Sequence, residues 1–510
     1  MNTKKSLEPR LFALVTFLHL LPVILLSPFV TLDGPAHLYN AHLIGELLTT
    51  QSTSAHAFFE FNSFPEPNWS GHLLLACLMF VVPALWAEKI LLLLIILLTV
   101  IGYRKLILTI EPSAAWLSWL VFPFVYNFTF LLGFFNFSLA MALLPFWMAW
   151  WMNNQSASKT PKTYVWVILF LLFLYFSHLV VFLLAGLTAG IISVFHYSAD
   201  GKKQLRSSLF FLFLTTLPGV LMSVFFVFIV GTDGYRGEVT RLPVIQLLDD
   251  LLHSRMLIMY NYDAEKNTAL LFTIVLALLT IYGLIKRSVQ QWQKTFLLLM
   301  FSALALVFIL PDSLASGGIL SVRLVQWFFL CWCIWLVSLR IPPAVSMASG
   351  IFAAVFSLYI LQHHYPVQKS LSEEATVIIE AGQSLPENAV ILPLNYSPNW
   401  LHSNMICYLG ALHNTVVLDN YEATQHHFPI VWKSGMDPEI HLGNHVSSSR
   451  PCVRIAGSES STGQQIKVVT RWLFPADAVD SCSTDLNRQL SNGYQQPLKF
   501  KDHLEVFIRK

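Results

Sequence analysis

The chain has 510 residues, of which 55% are hydrophobic and only 12% charged, with a formal net charge of +2. A water-soluble protein of this length would need far more charge on its surface, so the composition excludes an ordinary soluble enzyme and indicates a membrane protein. The basic residues fall in short clusters between apolar runs rather than in one patch, which argues against nucleic acid as a partner.

Apolar runs of spanning or near-spanning length cover 11–30, 73–86, 90–103, 114–132, 137–152, 164–178, 179–195, 209–230, 269–285, 296–310, 322–339 and 344–361. The first is about 20 residues, long enough to cross a bilayer, and no small-residue cleavage site follows it, so it reads as a retained helix. Basic clusters at Lys4, Lys5 and Arg10, at Arg104 and Lys105, at Lys159 and Lys162, at Lys202, Lys203 and Arg206, at Lys286, Arg287 and Lys294, and at Arg340 form one consistent cytoplasmic set. With the N-terminus inside and 32–70 outside, the segment 71–103 must cross an odd number of times, yet it holds two short apolar runs. The expectation is therefore eleven crossings out of twelve candidates, with a re-entrant or interfacial element between Ser70 and Lys89. The expected fold is an α-helical polytopic membrane protein with a C-terminal α/β extracytoplasmic domain.

The outer segments 32–70 and 232–266 are too long to be simple connections. After residue 361 charge, Asn, Ser and Pro return, with short strand-like runs at 389–394, 415–418 and 504–508 and a helix-compatible stretch at 372–382. The expected division is a transmembrane domain over 1–362 and a soluble domain over 363–510. Cys407, Cys452 and Cys482 fall in the latter; an oxidising compartment permits a Cys452–Cys482 disulfide, the alternative being free thiols. Cys331 and Cys333 lie in a Trp-rich apolar run without a second ligand pair, so they are no metal signature.

The chemistry-bearing candidates begin where the first apolar run ends, in Asp33-Gly34-Pro35-Ala36-His37-Leu38-Tyr39-Asn40-Ala41-His42. Asp33 before Gly-Pro suits the N-cap of an interfacial helix, with His37, Tyr39 and His42 as ordinary interfacial side chains. On such a helix His37 also shares a face with Asp33. Three ligands from Asp33, His37 and His42 would not converge on one point, so no metal and no other cofactor is expected, a divalent ion being chemically conceivable only.

An acidic residue directly after the first transmembrane helix, opening a long outer loop with a juxtamembrane helix, resembles the GT-C glycosyltransferases. These are multi-spanning enzymes that take a sugar from a polyprenyl-phosphate carrier on the outer face of the membrane. Many of them show paired acids here, where this chain has Asp33 followed by Gly34; the Asp-Gly-Pro-Ala-His form looks more like a bacterial branch of the superfamily. The resemblance implies that Asp33 is the base that deprotonates an acceptor hydroxyl, with His37 orienting it or moving the proton. It also implies a cation for the carrier phosphate, for which Arg323 in Ser316-Gly317-Gly318-Ile319-Leu320-Ser321-Val322-Arg323 is best placed; the alternative is a snorkelling arginine. Tyr39, Asn136, His178 and Arg236 are candidate cavity-lining residues. Asp419-Asn420-Tyr421-Glu422 with His426-His427 reads first as a surface turn, and second as a cover or acceptor site.

The expected partners are a lipid-linked sugar donor, membrane lipids and an acceptor that is a glycan, lipid or protein. The alternatives are a transporter, which would place ionisable groups at mid-membrane and often carries a paired repeat, and a non-catalytic subunit of a cell-envelope assembly. The expected location is the bacterial cytoplasmic membrane, N-terminus cytoplasmic and C-terminal domain periplasmic. In an endoplasmic-reticulum membrane, the alternative, the sequons at Asn68 and Asn395 would be glycosylated.

Overall fold

The structure is a computed structural model describing residues 7–49, 53–64, 66–154, 159–197, 201–228, 239–286, 292–314, 317–425, 427–436, 455, 459, 463–474 and 481–510. Arg236, His426, Cys452 and the side chain of Cys482 lie outside the described residues.

The chain is a helical polytopic membrane protein. Among the described residues, eight helices are long and apolar enough to cross a bilayer: Glu8–Leu25, Ala84–Ile110, Phe135–Asn153, Leu179–Tyr197, Lys202–Phe228, Tyr262–Lys286, Leu320–Val337 and Pro343–Gly382. Four further apolar runs form the shorter helices Ser70–Met79, Ala115–Phe124, Pro161–Ser177 and Gln293–Ile309. The first of these has ten residues, about 15 Å of rise, half of a ~30 Å hydrocarbon core. Along Tyr262–Lys286 the exposed residues Leu271, Ile274, Leu278, Ile281 and Ile285 recur every three or four positions and form one apolar stripe. Such a stripe is unfavourable against water and is the natural outer surface of a helix against lipid.

Two expectations need correction. The run 114–132 is not one α-helix: it forms a 3-10 helix, Ala115–Phe124, then a single turn, Phe128–Leu131. Pro123 has no N–H for an α-helical bond, and Leu117 to Phe124 are all buried, so the irregular backbone is wrapped in protein. The run 344–361 and the stretch 372–382 are likewise not separate elements, since both belong to the 40-residue helix Pro343–Gly382, whose length of about 60 Å is twice a bilayer core.

Two compact units divide the chain. The first comprises Met1–Leu21, Leu93–Leu131 and Phe135–His364. At its centre are Leu320–Val337 and Phe135–Asn153, whose spanning windows are 89% and 83% buried. Here Arg104 grips Glu8 through two parallel bonds of 2.7 Å, and the Trp119 indole N–H donates to the same carboxylate at 2.7 Å.

The second unit comprises Pro22–Leu92, Leu132–Phe134 and Tyr365–Lys510. It holds a five-stranded sheet of order β3-β2-β5-β7-β6, with β2 (Val390–Asn395), β3 (Val416–Val417), β5 (Val468–Trp472), β6 (Leu498–Phe500) and β7 (Leu504–Ile508). β2 runs parallel to β3 and β5, whereas β7 is antiparallel to both its neighbours. Residues distant in sequence are also tied by an antiparallel pair, β1 (Phe59–Phe61) with β4 (Ile430–Trp432), in which Phe59 opposes Trp432 and Phe61 opposes Ile430. This unit differs from the expected 363–510 domain by including the segment 22–92.

Candidate functional site

The residues that follow the first apolar helix build a polar centre within the second unit. The helix Gly34–Thr49 begins directly after Asp33: the His37 amide donates to the Asp33 carbonyl at 2.9 Å, and the Gly34 amide donates to the Thr31 hydroxyl at 3.1 Å. Pro35 in the first turn sacrifices no helical bond, because the N–H it lacks would have had no intrahelical acceptor. Asp33 thus occupies the expected capping position in its backbone. Its carboxylate accepts from the Asn404 amide at 3.0 Å and lies near the Tyr421 hydroxyl, which donates to Oε1 of Glu422 at 3.4 Å.

Gly133 fixes this loop from the other side. It has φ +73°, and a Cβ there would lie 2.7 Å from the Gly34 nitrogen and 2.8 Å from both the Asp33 nitrogen and the Thr31 hydroxyl. Only glycine permits that approach, and the Asp33 amide completes it by donating to the Leu132 carbonyl at 3.1 Å.

One turn on from Asp33, His37 meets two residues from remote segments. Its Nδ1 lies 2.6 Å from Oε1 of Glu422 and 3.0 Å from Nε2 of His72. Nε2 of His72 is in turn 2.9 Å from Oε2 of Glu422, while its Nδ1 faces the Asn68 carbonyl at 3.0 Å. The two rings are perpendicular, and Phe428 packs against both. Asn40, one turn after His37 and on the same face, donates to Oε2 of Glu422 at 2.7 Å. Asn420 exchanges amide bonds of 3.1 Å with Asn40 and accepts from the Ala423 amide, which shapes the 3-10 turn Tyr421–Thr424 that presents Glu422.

All three side chains are buried, with relative exposures of 5% for His37 and 0% for His72 and Glu422. Burial alone would raise the Glu422 pKa, but the two imidazoles outweigh it and hold the carboxyl at about 2. Burial opposes charge on His37, yet Glu422, Asp33 and a hydrogen bond to the Gly133 backbone together raise its pKa. For His72 burial prevails, aided by repulsion from His37, and its pKa is lowered despite Glu422. The Glu422 carboxylate, with Asp33, thus favours a proton on His37 over one on His72. Among the described residues this is the one set of three His, Cys, Asp or Glu side chains whose donor atoms all lie within 4.8 Å of one another.

No protein-family model matches the chain, and no curated protein matches it.

The other sequence candidates have different settings. Tyr39 is fully buried; its hydroxyl accepts from the Val417 amide at 3.1 Å, and its ring lies against Gly410, so it holds β3 in place. His42 turns away from the cluster toward Glu46 and His413. Asn136, His178 and Arg323 belong to the first unit, where Nη1 of Arg323 donates to Nε2 of His178 at 2.8 Å and both side chains pack against the Phe137 ring. Since a guanidinium only donates, that bond requires Nε2 of His178 to be unprotonated. Asn136 is buried at the start of Phe135–Asn153.

The segment Asp419–Glu422 is not a surface turn: Asp419, Asn420 and Glu422 are buried. His72 was not singled out from the sequence. Its signal was a lone imidazole opening an apolar run too short to span, where a polar side chain needs a partner inside the protein.

Proposed function

We propose that the chain is a membrane glycosyltransferase that moves a sugar from a polyprenyl-phosphate donor to an acceptor on the outer face of the membrane. The observation that carries this is the setting of Asp33. Its carboxylate follows the first apolar helix directly and accepts from the neutral Asn404 amide, which orients it while leaving it further lone pairs with which to take a proton. His37, on the same helical face, interacts favourably with that charge. Sugar transfer from a lipid phosphate needs such a carboxylate to take the acceptor proton as the phosphate leaves. The carrier phosphate is assigned to Arg323 on the chemistry of its guanidinium.

In this reading the chain crosses the bilayer eleven times, Ser70–Met79 does not span, and the C-terminal α/β domain lies on the periplasmic side of a bacterial cytoplasmic membrane. The test uses the full chain in liposomes with a polyprenyl-phosphate sugar pool and a mixed pool of glycan, lipid and protein acceptors, and follows loss of the lipid-linked sugar together with labelling of an acceptor. Wild type turns over, and Asp33→Asn falls by at least about a hundredfold, as expected for a lost general base. Equal rates for the two proteins remove Asp33 from catalysis. No turnover with any donor in the pool favours a non-catalytic envelope subunit, and donor-independent solute flux favours a transporter.

A further inference from the structure

We infer that His37, His72 and Glu422 form a binding site for one divalent transition-metal ion of the zinc class, a conclusion that does not depend on sugar transfer. Three donors from three separate segments converge: Nδ1 of His37 and Nε2 of His72 are 3.0 Å apart, and the Glu422 oxygens lie 2.6 Å and 2.9 Å from them. Ligands at about 2.0–2.1 Å from an ion stand roughly 2.9 Å apart at right angles and roughly 3.3 Å apart at the tetrahedral angle. To reach tetrahedral spacing these pairs must open by roughly 0.3–0.7 Å, with one Glu422 oxygen as the ligand, a shift that small side-chain rotations supply.

The surroundings favour a cation over an ordinary histidine–glutamate pair. The His72 Nδ1 faces a carbonyl, that of Asn68, which accepts a hydrogen there, so a neutral His72 ring can keep its proton on Nδ1 and offer the Nε2 lone pair to an ion at the cluster. The His37 ring is also hydrogen bonded to backbone, at Gly133, while its Nδ1 faces the same point. Asn40 donates to the Glu422 carboxylate from outside, as a second-shell group orients a ligand. Two imidazoles at 3.0 Å can share only one proton between them, and a divalent ion in its place satisfies both lone pairs and the carboxylate together. Two imidazoles and one carboxylate suit zinc, cobalt(II) and iron(II), and three protein donors leave a coordination position for a ligand oxygen.

The test uses the full-length protein in detergent, stripped with a chelator and then loaded with Co2+ or Zn2+ alone. The expected result is one Co2+ per chain with visible ligand-field bands, and binding at least tenfold weaker in both His72→Gln and Glu422→Gln. X-ray absorption on the Zn2+-loaded wild type requires no variant to fold, and it should show two imidazole nitrogens with oxygen donors. Absence of stoichiometric Co2+ uptake, variants that bind as wild type, or a zinc shell lacking imidazole would each overturn the site and leave a proton-bridged ion-pair network.

Discussion

Nε2 of His72 lies 2.9 Å from Oε2 of Glu422, a residue 350 positions further along the chain, and both side chains are wholly buried. Neutralising one member of such a group leaves the others buried without compensation, at a cost of about 3–5 kcal/mol. Glu422→Gln is therefore expected to lower the unfolding midpoint strongly in metal-free protein. Retained wild-type stability would show that Glu422 is not ionised in the fold.

Gly133 permits the Asp33 loop to close, because its φ of +73° and the 2.7 Å approach to Gly34 leave no room for a side chain. Gly133→Ala combines left-handed strain with a backbone clash and should cost at least about 2 kcal/mol. It should also displace the Asp33 backbone, so under the proposed function sugar transfer is expected to fall even where the variant remains folded. An alanine variant with unchanged melting temperature would rule out this packing.

Glu66, six residues before His72, supplies a separate pH test. It is buried, and desolvation pushes its carboxyl up to about 8 from an ordinary value of 4.5, with Asn62 opposing in part. A raised acid pKa means the folded chain keeps its proton after the unfolded chain has lost it. Stability is therefore unaffected below pH 4.5, declines as pH rises from 4.5 to about 8, and is flat above. Glu66→Gln should remove this decline, melting higher than wild type at pH 9 and about equally at pH 4; a wild type that gains stability across the window would contradict it.

In the first unit the Glu8–Arg104–Trp119 group makes a double-mutant prediction. Arg104→Met alone leaves Glu8 buried beside Trp119 without its cation and should destabilise by about 3–5 kcal/mol. Adding Glu8→Gln removes the stranded charge and should recover much of that loss, giving a coupling energy above about 1 kcal/mol. Purely additive losses would show that the pair is solvated rather than buried.

The membrane class, most of the long apolar helices and the strands β2, β3 and β7 were legible because hydropathy and period-two patterning are local properties of the chain. So was the shared face of Asp33 and His37, which helical geometry alone sets. The 3-10 path of Ala115–Phe124 was less legible, because hydropathy counts Pro123 as merely apolar. Only the tertiary structure decided that Glu422 is a buried partner and not a surface turn. Its environment comes from the pairing of β1 with β4 and from the asparagine contacts of Asn40 and Asn420, which join segments far apart in the chain. No local window encodes that proximity, so convergence of two imidazoles and a carboxylate appears only once the chain has folded.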